Sequence, residues 1–281
     1  MKTYQAGKWI VLVCSTVVAL ALSAIPGSPL TRSAFAGPKE DSGHCSVAGL
    51  RGIYVASVNG FTTNQPPPQF TVSAFAPVML LGTFTFDGAG SVSRSVTVNV
   101  AGLPFPIADT GTYLVSSDCS GSIAFPTHSD TLNFNIVDSD SIAIVATTPG
   151  ESGAGTLTKQ DIEDCSAGSF HGIYVFNQNG LGTFQNPPQL IDGFFPVSVV
   201  GTWTFDGKGS VTRSLSLVFA GYPGPYSDVG SYQVNSDCTL SAYFSSDDEP
   251  FKLIAVDARR LIVGVVAVGR MGAGTLLKQS L

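Results

Sequence analysis

Downstream of residue 50 the chain alternates between apolar and polar positions. Val92, Val96, Val98 and Val100 fall on every second position, with Ser, Thr and Asn between them. Leu132, Phe134 and Ile136 alternate in the same way with Asn133 and Asn135. A period of two puts such side chains on one face of an extended strand. No stretch repeats at helical spacing. The pattern predicts strands near 51–58, 77–86, 91–100, 110–116, 119–125, 131–137, 141–147 and 153–159, then a second set like the first.

The second set exists because the chain repeats itself. GTFTFDGAGSVSRS from Gly82 returns as GTWTFDGKGSVTRS from Gly201, and CSVAGLRGIYV from Cys45 returns as CSAGSFHGIYV from Cys165. GTYLVSSDC from Gly111 matches GSYQVNSDC from Gly230, and GAGTLTKQ from Gly153 matches GAGTLLKQ from Gly272. The offset is 120 residues at first and 119 later, so one net deletion separates the copies. A period this long means two whole domains, 45–160 and 161–281, joined by the acidic segment from Asp161 to Asp164. Asp87 and Asp206, each followed by Gly-x-Gly, have the chemistry of tight hairpin turns. The oxygen ligands of a calcium loop are absent around them.

Eight short strands with one apolar face either close on themselves or fold into a sandwich. The mostly short connections favour an all-β protein of two tandem antiparallel up-and-down eight-stranded barrels, with a β-sandwich as the alternative. Closure pairs the first strand of each unit with its last and removes both edges.

Composition changes the picture in three ways. Charged residues are only 12% of the 281 and hydrophobic ones 44%, which excludes disorder. Residues 1–36 carry Lys2 and Lys8, an apolar run from Trp9 to Ile25, and the small-x-small site Ala34-Phe35-Ala36. They are read as an export signal, with an uncleaved anchor as the competing reading. Residues 37–44 form a polar leader. The net charge is −6, and it becomes −9 without residues 1–36, which hold three bases and no acid. An acidic surface excludes nucleic acid and, once the signal is cleaved, a membrane as partners. The destination expected is periplasmic or extracellular.

Four cysteines then remain. Duplication favours Cys45–Cys119 and Cys165–Cys238, and strand parity in a meander puts both members of each pair at the same barrel end. Each bridge would close a loop of roughly 75 residues, worth about 4–5 kcal/mol by chain entropy.

Chemistry is sparse. His44, His128 and His171 show no metal-ligand spacing. No serine stands in a nucleophile elbow. No catalytic residue, metal site or cofactor is assigned. Arg94 and Arg213 occupy inward beats of their strands, and a buried charge demands a partner. They are read either as anchors for a ligand carboxylate or as a structural plug. In the plug reading Asp118, Asp138, Asp140, Asp237 and Asp257 supply the counter-charge at the closed end. At the opposite end, 59–76 and 177–194 read as long loops rich in Pro, Gln and Phe, and AGLPFPIAD and AGYPGPYSD as proline-punctuated ones. Phe61, Phe70, Phe75, Phe105, Tyr222 and Tyr226 are their candidate apolar contacts for a ligand.

The Gly-x-Tyr strands, Phe-Asp-Gly-x-Gly hairpins and Tyr-x-Val-x-x-Asp-Cys strand ends resemble exported bacterial repeat proteins of unassigned function. Each unit resembles the lipocalin, avidin and allene-oxide-cyclase type of eight-stranded barrel, or calycin-like fold. The lipocalin Gly-x-Trp opening is replaced by Gly52-Ile53-Tyr54 and Gly172-Ile173-Tyr174. The resemblance implies non-enzymatic binding of small apolar or amphipathic ligands. The alternatives are a structural or adhesive surface protein with filled barrels, and an isomerase or cyclase of allene-oxide-cyclase type.

Overall fold

The computed structural model describes residues 45–63, 74–162, 165–185, 189–247 and 249–280. The signal reading, the polar leader, His44 and Phe70 lie outside them. In the first repeat the strands are β1 (Arg51–Thr62), β2 (Ala76–Asp87), β3 (Ser91–Val100), β4 (Leu103–Val115), β5 (Ser120–Phe125), β6 (Asp130–Ile136), β7 (Ser141–Ala146) and β8 (Glu151–Lys159). The second repeat has β9 (His171–Gly182), β10 (Phe195–Asp206), β11 (Ser210–Phe219), β12 (Tyr222–Val234), β13 (Thr239–Phe244), β14 (Phe251–Asp257), β15 (Arg260–Ala267) and β16 (Arg270–Lys278). Each set is an antiparallel meander that closes into a barrel. Ala56 of β1 stands opposite Leu157 of β8, and Phe176 of β9 opposite Leu276 of β16. The sandwich alternative is thereby excluded.

The strands run further toward one end than the alternation indicates. β1 continues to Thr62, β9 to Gly182, and β4 and β12 begin at Leu103 and Tyr222. The proline-punctuated stretches are therefore strand, entered through the two-residue turns Ala101-Gly102 and Ala220-Gly221. Pro104 and Pro106 are tolerated because β5 pairs only with Thr112–Val115, which leaves the first half of β4 with a single neighbour. Ala101 and Ala220 have φ of 54° and 51°, followed by glycines at 87° and 84°. Positive φ at both centres is the twist-matched hairpin geometry that favours Asn-Gly. Ala220 is exposed. Ala220→Asn is therefore expected to stabilise the protein by about 0.5–1 kcal/mol, read as a higher urea midpoint with unchanged slope.

The Phe-Asp-Gly hairpins behave as their residues suggest. Asp87 Oδ1 accepts from the backbone N–H of Ala89 at 2.7 Å and of Ser91 at 2.9 Å, and Asp206 repeats this with Lys208 and Ser210. These donors hold both carboxyls below the usual carboxylate range. Asp118 and Asp237 close analogous turns on Ser120 and Thr239, and Asp138 and Asp257 on the N–H groups of Asp140 and Arg259.

One end of each barrel is packed solid. Tyr54, Phe86 and Tyr113 stack edge to face with centroids 5.3 and 5.0 Å apart, and Tyr174, Phe205 and Tyr232 repeat this at 5.3 and 4.9 Å. Beneath them lies a single 3-10 turn, Val47–Gly49 or Ala167–Ser169, with Leu50 or Phe170 fully buried. The Tyr113 hydroxyl lies 2.9 and 3.0 Å from the carbonyls of Val47 and Leu50, and Tyr232 lies 2.9 and 3.1 Å from those of Ala167 and Phe170. Cys45–Cys119 and Cys165–Cys238 fasten these turns to the wall, with Cα atoms 4.7 and 5.2 Å apart. This is the pairing that duplication and parity predict.

The barrels pack side by side. Outward-facing Val55, Met79 and Leu81 of the first cover Ile254, Val256, Ile262 and Met271 of the second. Gly264 permits this closeness, since a Cβ there would come within 2.5 Å of Leu81. At the packed end Gln160 Nε2 donates to the carbonyl of Ala255 at 2.7 Å, and the Asp161 N–H donates to Val256 at 2.7 Å. At the other end Gly269 N–H donates to Gly102, Gln189 N–H to Ala101 and Ile191 N–H to Phe75. Both open ends therefore lie on the same side of the pair.

Candidate functional site

Above the aromatic floor each barrel is hollow. The first encloses about 380 Å³ and the second about 260 Å³. Inward beats of the strands supply apolar walls: Val58, Leu80, Val98 and Ile144 in the first, Val199, Leu215, Leu217 and Phe219 in the second.

A buried arginine marks the boundary between floor and hollow. Arg94 is 5% exposed and Arg213 4%. Arg94 holds Asp109 through Nε at 2.7 Å and Nη2 at 3.1 Å, and its Nη2 reaches Asp130 at 2.6 Å. Arg213 holds Asp228 at 2.5 and 3.0 Å and Asp247 at 2.5 Å. The guanidinium carbons lie 3.9 Å over the Phe125 ring and 3.8 Å over the Phe244 ring. Burial pushes the carboxyls of Asp109 and Asp228 upward. Hydrogen bonds from their arginines, from His128 in one case and Ser246 in the other, outweigh this and hold both below the usual range.

This geometry corrects the expected counter-charges. Asp118, Asp138, Asp140, Asp237 and Asp257 lie at the closed end and do not reach either arginine. The real partners are Asp109 of β4 and Asp228 of β12, directly across the hairpin, with Asp130 at the start of β6 and Asp247 in the mouth-side connection after β13. The arginines tilt toward the mouth because rings already fill the floor. Both arginines nevertheless line their cavities, and among the described residues the Nη1 of each makes no hydrogen bond, so the anchor and the plug readings both stand.

The other candidates divide. Phe61 and Phe105 line the first cavity near its lip, and Tyr226 lines the second beside Ser246, with which it hydrogen-bonds. Tyr222 pairs with Phe219 across the β11–β12 hairpin and stands at the rim above the cavity, 79% exposed. Phe75 contributes its carbonyl to the contact between barrels.

Alternation gave no sign of several further wall residues. Gln178 of β9 is 8% exposed and faces the second cavity. Arg270 sits at that cavity's lip, its guanidinium 3.2 Å from Asp247 and its carbonyl held by Asn99 of the first barrel at 3.2 Å. At the first lip His128 Nδ1 lies 2.9 Å from Asp109. Glu151 is exposed there, yet desolvation by the wall and then the charge of Asp130 raise its carboxyl. Only the repeat alignment, read position by position, points to these residues.

No protein-family model matches the chain, and no curated protein matches it. Among the described residues no helix is long and apolar enough to cross a membrane.

Proposed function

We propose that the protein is an exported, non-enzymatic carrier whose two barrels each take one small apolar or amphipathic ligand. The observation that carries this reading is the half-filled lumen: an apolar hollow, open at one end, above a floor of packed rings and an ion-paired arginine. A purely structural or adhesive barrel has no need of such a hollow, since filling it with side chains adds dispersion and burial energy. Pockets of this size with apolar walls and few polar groups suit small ligands. The barrel shape agrees with the lipocalin, avidin and allene-oxide-cyclase likeness, and the disulfides agree with an oxidising destination. The isomerase reading has one supporting feature, the Asp109–His128 pair. The second repeat has Asp247 at the position of His128, so the duplicated unit does not keep it.

The test is native mass spectrometry of protein from its own host, with titration of the neutral dye N-phenyl-1-naphthylamine. Two saturable sites are expected. Leu80→Trp should remove one and Leu217→Trp the other. Absence of both a co-purifying small molecule and saturable dye binding sinks the reading.

A further inference from the structure

The repeat alignment equates the walls of the two cavities residue for residue, and they differ at the positions that meet a ligand's polar end. Glu151 at the lip of the first becomes Arg270 at the lip of the second. Both line their cavities and both are exposed. Of the five N–H donors of the Arg270 guanidinium, one contact is made, to Asp247. Val58, on the wall of the first cavity, becomes Gln178 in the second. Gln178 is 8% exposed as a residue and lines the hollow, and its amide has no hydrogen-bond partner among the described residues. Its donors and acceptor are thus available to a polar atom placed in the cavity.

The charge balance follows the same division. Among carboxylates and arginines, the first polar cluster sets Asp109, Asp130 and Glu151 against Arg94. The second sets Asp228 and Asp247 against Arg213 and Arg270. Counted over these groups alone, the first cluster has a surplus of two negative charges and the second has none. Asp130 and Glu151 repel one another across the first lip, and a cation between them relieves that repulsion.

We propose that the two cavities have diverged in head-group preference: the first selects apolar chains bearing an amine, the second apolar chains bearing a carboxylate or another hydrogen-bonding oxygen. In the second, Arg270 meets the anionic end and the Gln178 amide meets an oxygen within the cavity. This rests on the ligand reading above.

The test is methyl NMR titration of the full chain at low salt with octylamine, octanoate and octanol. Leu80, Leu132 and Ile144 report on the first cavity, and Val199, Leu215 and Leu217 on the second. The ratio of octylamine to octanoate affinity is expected to be about tenfold or more higher in the first cavity than in the second. Glu151→Arg and Arg270→Glu should each erase or invert the ratio in their own cavity alone. Gln178→Val should weaken octanoate and octanol in the second cavity only. Glu151→Gln and Arg270→Gln serve if either reversal impairs folding. Equal ratios in both cavities, or ratios unmoved by the lip substitutions, overturn this inference and leave the carrier reading standing. No saturable shift with any of the three, neutral octanol included, overturns the carrier reading itself.

Discussion

Arg213→Ala is expected to destabilise the second barrel by about 3–5 kcal/mol. Little of this comes from lost attraction. The substitution strands Asp228, its side chain 13% exposed, without a counter-charge, and leaves Asp247, 15% exposed, with Arg270 alone. Urea unfolding followed by Trp203 fluorescence measures it, because Trp203 sits opposite Arg213 in the β10–β11 ladder. Arg94→Ala should do the same to the first barrel. Replacing the whole cluster together, Arg213→Met with Asp228→Leu and Asp247→Leu, should recover most of the loss, since apolar groups of similar volume need no partner. A cost within 1 kcal/mol for Arg213→Ala alone would mean that the pair is solvated. The same cluster sets a pH dependence. Asp109 and Asp228 have folded-state values below their unfolded ones. Their stabilisation is complete above the ordinary carboxylate pKa, about 4, and is lost as pH falls through the folded values. The Arg213→Ala protein should show the opposite slope from Asp228, whose burial without a partner favours the protonated acid.

Loss of a disulfide is the second large effect. The bridges span 74 and 73 residues of sequence. Chain entropy puts each at about 4–5 kcal/mol, and measured losses in small domains run at roughly 2–5. Cys45→Ser should therefore lower the stability of the first barrel by several kcal/mol and free the 3-10 turn beneath Tyr113, seen as faster amide exchange at Leu50. Cys119 sits at φ 66° and Cys238 at φ 64°, in the left-handed region where a glycine is at ease. The turn Ser116–Cys119 has Cys119 N–H bonded to the Ser116 carbonyl, with Ser116 N–H then bonded to Ser120. Cys119→Gly should accordingly be milder than Cys45→Ser by about 1–2 kcal/mol, because it removes the same bridge and also the backbone penalty. Equal losses would show that the turn relaxes once the bridge is gone.

Alternation and duplication made the barrels, their closure and the disulfides legible, because each depends on which face a side chain takes and on which end a strand leaves. The arginine partners were legible as well, through one feature that composition obscured. Taken as a two-residue turn, Ala101-Gly102 puts Arg94 directly opposite Asp109, and Ala220-Gly221 puts Arg213 opposite Asp228. The prolines that follow make the segment read as loop, and that hides the register. The contact between barrels was not legible. Val55 and Val175 occupy the same position in the two repeats, yet Val55 is buried and Val175 is 40% exposed. Nothing in either residue states which barrel face the other copy will cover. Gln178 and Arg270 escape pattern reading for a different reason: a strand facing a hollow obeys the same alternation as one facing a core.

The manner in which the barrels meet also bears on association between copies of the chain. The contact is head to tail, the β1–β2 flank of one copy against the β14–β16 flank of the next, and such a contact generates an open row unless something ends it. Both outer flanks are partly blunted. Where the first copy offers Met79, the second has Ser198, exposed and bonded to Asn179 at 2.9 Å. Where the second copy offers Ile254, Ile262 and Met271, the first has Asn135, Ala143 and Ser152, all facing solvent. Val175 and Val200 nevertheless stand exposed where the first copy has Val55 and Leu81, and Val137 where the second has Val256, so each outer flank is a thinned version of the buried contact and the place where a further copy of the chain would add.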